Sequence, residues 1–255
     1  MPTIKISGRS IAYDSQVPLD KGQGLQMLFV HGASFHRQVW RDQMAHFARS
    51  DTPVCLDLAG HGQSSGPSCD TVEDHCAIVK AFADAIGLRD FVLVGHSMGG
   101  AVAQAYVARH PEDIRALVLV STAPSFAIPG DMLSEWTQAP EKYRAEELDV
   151  ILAPVTGTEV RQRLLAMRDD NPWETQRADL VACSRWDNIQ GFPAIRHPTL
   201  LITAKYDSIL EGNRDMHRQL PQSVLVELDR SGHMIMAEEP REVNRAIEEF
   251  VKAVA

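Results

Sequence analysis

The chain has 255 residues, of which 44% are hydrophobic and 23% charged, and a formal net charge of -9. That balance fits one large buried core and excludes disordered and fibrous classes, while the acidic excess argues against a nucleic-acid partner. With no apolar run of membrane-spanning length and no signal-peptide pattern at the start, the expected setting is the cytoplasm, with no membrane partner.

In chain order, the first apolar, β-rich segment covers residues 27–31 and ends in His31-Gly32. The second covers residues 54–58 and leads into Asp57-Leu-Ala-Gly-His-Gly-Gln-Ser64, a glycine-rich loop that Asp57 is expected to fix. Residues 74–86 then carry Ile78, Phe82 and Ile86 four apart, which predicts a helix capped by Thr71 with Asp74 and stopped at Gly87. A strand at 91–95 runs through Gly95-His-Ser-Met-Gly99 into a helical pattern at 101–110, which ends before Pro111. Further strands are expected at 116–121, 200–204 and 224–228, and an amphipathic helix at 240–251 closes the chain. Alternating strand and helix predict an α/β fold, a mostly parallel sheet covered by helices on both faces.

Residues 124–197 break the alternation. Prolines, glycines and charges thicken there around Met132, Trp136, Met167, Trp173, Trp186 and Phe192, with no buried-strand pattern. This reads as an inserted helical cap on a core made of residues 1–123 and 198–255.

The chemistry starts at Ser97. Glycines two residues before and two after allow a sharp strand-to-helix turn that lifts the hydroxyl above the sheet edge. Gly62-Gln-Ser-Ser-Gly66 has the same spacing, but Pro67 follows and no helix can start there, so Ser64 is a loop residue. A serine nucleophile needs a base and a group to orient that base. Asp207 follows the strand at 200–204, and His233 follows the one at 224–228. The carboxyl ends of parallel strands share one edge, so Ser97, Asp207 and His233 can converge. Asp131, Asp215 and Asp229 are rival acids, and His31, His61 and His96 rival bases. The backbone N–H groups of Ala33 and Met98 are the expected oxyanion donors. His31, Trp136, Trp186 and Met234 are the expected pocket residues. Cys55, Cys69, Cys76 and Cys183 lack C-x-x-C spacing, so free thiols are expected, with no metal site and no cofactor.

Together, the His31-Gly32 loop, the segment 57–64, the Gly95–Gly99 elbow, the Asp207 loop and Gly232-His233 resemble the alpha/beta-hydrolase superfamily, of the cap-bearing esterase and lactonase type. The resemblance implies a serine hydrolase that cleaves an ester, lactone or thioester of a small to medium apolar molecule through an acyl-enzyme. A second reading is an enol-lactonase or carbon–carbon bond hydrolase, with one of Arg161, Arg163, Arg168, Arg177 and Arg185 holding a substrate carboxylate. Met234 departs from the tryptophan that carbon–carbon hydrolases tend to carry after the histidine. A third is a ligand-sensing receptor on the same fold. The partner is expected to be a small molecule, and the chain a monomer or homodimer.

Overall fold

The computed structural model describes residues 2–19, 22–126, 128 and 130–254, with backbone alone for 132, 136, 137, 142–145 and 147. Its strands are β1 (Thr3–Ile6), β2 (Arg9–Ser15), β3 (Gln26–Val30), β4 (Thr52–Leu56), β5 (Phe91–His96), β6 (Ile114–Val120), β7 (Thr199–Ala204) and β8 (Ser223–Leu228). They form one sheet in the order β1-β2-β4-β3-β5-β6-β7-β8. β1 and β2 are antiparallel to their neighbours, and every pairing from β4 to β8 is parallel. The helices are α1 (Arg41–Phe47), α2 (Val72–Ile86), α3 (Met98–Arg109), α4 (Gly130–Gln138), α5 (Pro140–Ile151), α6 (Thr158–Asp169), α7 (Trp173–Arg185), α8 (Leu210–Gln219), α9 (Ile235–Glu238) and α10 (Pro240–Val254).

Alternation along the strands sorts side chains into two apolar layers. Leu28 and Val30 of β3 join Val79, Phe82 and Val102 from α2 and α3. Met27 and Phe29 turn to the other face, with Met44 and Phe47 of α1 and Ile247 and Phe250 of α10. Each fully buried leucine or phenylalanine contributes roughly 1.5–3 kcal/mol, so the two layers outweigh local backbone strain, about 1–3 kcal/mol per residue. The predicted cap of α2 is present: Thr71 Oγ1 accepts from the Asp74 amide at 3.1 Å, and Gly87 ends the helix at φ 75°.

All six expected strands form, displaced by a residue or two. Sequence periodicity alone did not yield β1 and β2. They are a short edge hairpin turned at Ser7 (φ 49°) and Gly8 (φ 80°), and they are largely half-buried or exposed. Between β6 and β7 the chain forms α4 to α7, the helical stretch expected within 124–197.

Candidate active site

β5 delivers Ser97 to the C-terminal edge of the sheet, where the backbone turns at φ 51° and ψ -118° into α3. A non-glycine residue in that region is strained, and several contacts hold it. The Ser97 amide donates to Val120 O at 3.0 Å, and Thr122 Oγ1 donates to Ser97 O at 2.7 Å. The flanking glycines are required by contact: a Cβ on Gly95 would strike the Gly99 carbonyl, and one on Gly99 would strike that of Val30.

Asp207 follows β7, as expected, and is 5% exposed. Its Oδ1 lies 3.1 Å from His233 Nδ1 and accepts from the Ile209 amide at 3.2 Å. Burial alone would raise its pKa; the His233 imidazole and the Ile209 amide outweigh burial and hold it below the usual carboxylate value. With Nδ1–H donated to Asp207, the lone pair of His233 sits on Nε2. Ser97, His233, His96 and Ala33 open on one cavity of about 520 Å³.

Gly32 brings the loop after β3 against the elbow. A Cβ there would lie 2.7 Å from His96 Nδ1 and 3.0 Å from Ser97 Cβ. Ala33 follows on the cavity wall, and Met98 is the first residue of α3, so its N–H has no intrahelical partner.

Three expected pocket residues are elsewhere. His31 is fully buried; its Nε2 accepts from the Leu58 amide at 3.0 Å and its Nδ1–H donates to Gly32 O at 2.8 Å, so the ring is a neutral brace between two loops. Met234 is fully buried in the α1–α10 layer. Trp186 is 5% exposed in the opposite layer, because its Nε1–H reaches Ala123 O at 3.3 Å there. The side chain of Trp136 lies outside the described residues. The apolar wall is instead built by Phe35, Phe126, Ile128, Ile151, Leu180 and Ile209. Burial pushes the pKa of the Cys183 thiol, also on that wall, upward, which favours the neutral thiol.

Several residues at the site carry no sequence motif. The His233 amide donates to Ile151 O at 2.6 Å, and His96 Nε2–H donates to His233 O at 3.0 Å, so His233 is clamped between the end of α5 and the elbow. Burial, with the nearby His233, lowers the His96 pKa to about 3, so it stays a neutral donor. Glu238 accepts from the Gly232 amide at 3.1 Å and from the Ala153 amide at 2.9 Å, tying the same two segments.

A buried ion pair completes the surroundings. His61 sits with Nδ1 3.0 Å from Ala59 O and Nε2 2.7 Å from Asp179 Oδ2. Two acceptors demand two N–H groups, which makes His61 an imidazolium. Burial opposes that charge; the Asp179 carboxylate overrides it and raises the His61 pKa above 6.5. A raised folded-state value gives stability that is full below the unfolded pKa and lost as pH rises through the folded one. The Tm advantage over an Asp179→Asn variant is therefore expected to shrink from about pH 6 upward; a constant advantage in melts across that range would contradict the pair.

A sequence model of the alpha/beta hydrolase family matches residues 27–246. The chain is 30% identical over 253 residues to the AB hydrolase superfamily protein YisY of Bacillus subtilis (strain 168), covering 91% of this chain and 93% of that one. A thermophilic esterase from Thermogutta terrifontis, solved with malate bound, superposes with a TM-score of 0.88 at 26% identity, over 99% of this chain and 97% of that one. The enol-lactonase from Burkholderia xenovorans LB400 superposes with a TM-score of 0.88 at 21% identity, over 98% of this chain and all (100%) of that one, a likeness of fold alone.

Proposed function

Because this chain belongs to the alpha/beta hydrolase family, we propose that it hydrolyses a carboxylic ester of a small to medium apolar molecule through an acyl-enzyme on Ser97. His233 Nε2 takes the hydroxyl proton as Ser97 Oγ attacks the ester carbonyl, and Asp207 stabilises the imidazolium that forms. The Ala33 and Met98 amides receive the oxyanion, each worth about 3 kcal/mol of transition-state stabilisation if aimed at it. Collapse expels the alcohol, which takes the proton from His233. Water, deprotonated by the same imidazole, then releases the acid. The steps use only these side chains, two amides and water.

The observation that carries the reading is the Asp207–His233 contact at 3.1 Å on the cavity that also holds the strained Ser97 elbow. The esterase likeness at 26% identity supports ester chemistry. Residues 124–197 act as a cap in this reading, since Phe126, Ile128, Ile151 and Leu180 bound the cavity and would set the size of the accepted group. Among the described residues no arginine lines the cavity, and four of the five named above pair with carboxylates away from it: Arg161 with Asp149 at 2.6 Å, Arg163 with Asp42 at 3.8 Å, Arg168 with Asp169 at 3.6 Å and Arg185 with Asp70 at 2.6 Å. That favours neutral esters over the carboxylate-bearing lactones of the second reading.

An alkyl fluorophosphonate is expected to add one adduct per chain, on the peptide containing Ser97, and to stop hydrolysis of p-nitrophenyl butyrate in proportion to labelling. Labelling of another residue, or full turnover by the labelled protein, would sink the reading.

A further inference from the structure

We propose that Asp179, on α7 of the insertion, is a positioning residue that aims the Ala33 amide into the oxyanion hole; this rests on reading Ala33 as an oxyanion donor. Asp179 is fully buried, and its carboxylate meets three donors from two core loops, the one after β3 and the one between β4 and α2. Oδ2 accepts from the Ser34 amide at 2.8 Å and from His61 Nε2–H at 2.7 Å, and Oδ1 accepts from Ser68 Oγ–H at 3.0 Å.

Ser34 is the residue directly after the proposed donor, and it stands at φ 65°, a conformation a serine holds only under constraint. Asp179 grips its N–H, and Asn171, also in the insertion, donates from Nδ2 to Ser34 O at 2.8 Å and to Phe35 O at 3.2 Å. Both peptide planes after Ala33 are thereby held from the insertion. On the other side, Gly32 is packed against the elbow. The direction of the Ala33 N–H is thus set between a contact to Ser97's own turn and two hydrogen-bonding residues of the insertion. Of the neighbours of the Asp179 oxygens described above, the Ser34 N–H and the His61 imidazolium can only donate, whereas the Ser68 hydroxyl can also accept. An asparagine removes the charge that keeps His61 doubly protonated: with Nδ1–H held by Ala59 O, the bare Nε2 draws the asparagine NH2 to the Oδ2 position, where it meets the Ser34 N–H and releases the loop. Helix α7 therefore does more than wall the cavity: with Asn171 in the turn before it, it holds part of the proposed catalytic apparatus in place.

The test compares the parent protein with Asp179→Asn, Asn171→Ser, Ser68→Ala and Ser97→Ala, with sites counted by fluorophosphonate titration. For Asp179→Asn, kcat per titrated site on p-nitrophenyl butyrate should fall about 10- to 100-fold with KM within about threefold, in line with loss of an aimed oxyanion donor. Affinity for an alkyl boronic acid, which forms a tetrahedral adduct on Ser97 Oγ, should weaken by the same factor as kcat/KM. Asn171→Ser and Ser68→Ala should move kcat and boronate affinity together in the same direction by smaller factors, and they decide the matter if Asp179→Asn does not fold. A lowered Tm with fewer titratable sites but unchanged kcat per site would reduce Asp179 to an anchor and overturn the proposal. If Ser97→Ala stays active, the ester-hydrolase reading itself fails; if only the Asp179, Asn171 and Ser68 variants keep full kcat, this inference alone does.

Discussion

Replacing Ser97 by alanine is expected to lower kcat for p-nitrophenyl butyrate by about 10⁴-fold or more and to remove any pre-steady-state burst. The size follows from what the hydroxyl does. In the proposed mechanism its oxygen bonds to the acyl carbon, and the imidazole of His233 has no other proton to take in that step. Activity left in the variant measures what bound water achieves with the two amides alone. The loss should come without unfolding, because an alanine keeps the backbone hydrogen bonds at 3.0 and 2.9 Å that tie Ser97 to Val120 and Gly100. A Ser97→Gly variant adds a check: glycine relieves the strain at φ 51°, so it should melt higher than Ser97→Ala while being equally inactive. Burst kinetics surviving in either variant would remove Ser97 from the mechanism.

The difference between what could and could not be read from the residues lies in how far each constraint reaches. Gly95 and Gly99 act within one turn, so the elbow is written locally, and the structure shows the collisions that their side chains would cause. Asp207 and His233 were legible as neighbours because each lies in the loop after a strand, and parallel topology carries strand ends to one edge. Burial was harder. An apolar or aromatic residue near the site serves a core as well as a pocket, and nothing in the sequence told Trp186, whose indole N–H is satisfied by Ala123 O, from Phe126, which faces the cavity. His31 beside its loop looked like a pocket residue, yet both ring nitrogens are spent on backbone. Asp179, Asn171 and Ile151 were invisible for another reason. Their partners lie far away along the chain, at Ser34 and His233, and charges in the inserted helices looked like a solvated face. The fold was therefore more legible than the supports of the site.

Asp207→Asn should cost about 10⁴-fold in kcat at neutral pH while leaving the fold intact. An asparagine carries no charge to stabilise the imidazolium, and when its NH2 faces His233 Nδ1 the ring moves its proton to Nε2, the nitrogen proposed to accept from Ser97. The pH profile separates this from a general loss of order. In the parent, Asp207 is held below the usual carboxylate pKa by the His233 imidazole and the Ile209 amide, against burial. It therefore stays ionised well to the acid side of neutrality, and the fall of kcat/KM on that side reports protonation of the imidazole, as for a general base. Removing the carboxylate removes the charge that favours imidazolium, so the acid limb should move to lower pH in Asp207→Asn, on top of the drop in rate. An unmoved limb, or a rate within about tenfold of the parent, would mean that another acid orients His233. Asp229, which follows β8 in sequence, would then be the next residue to replace.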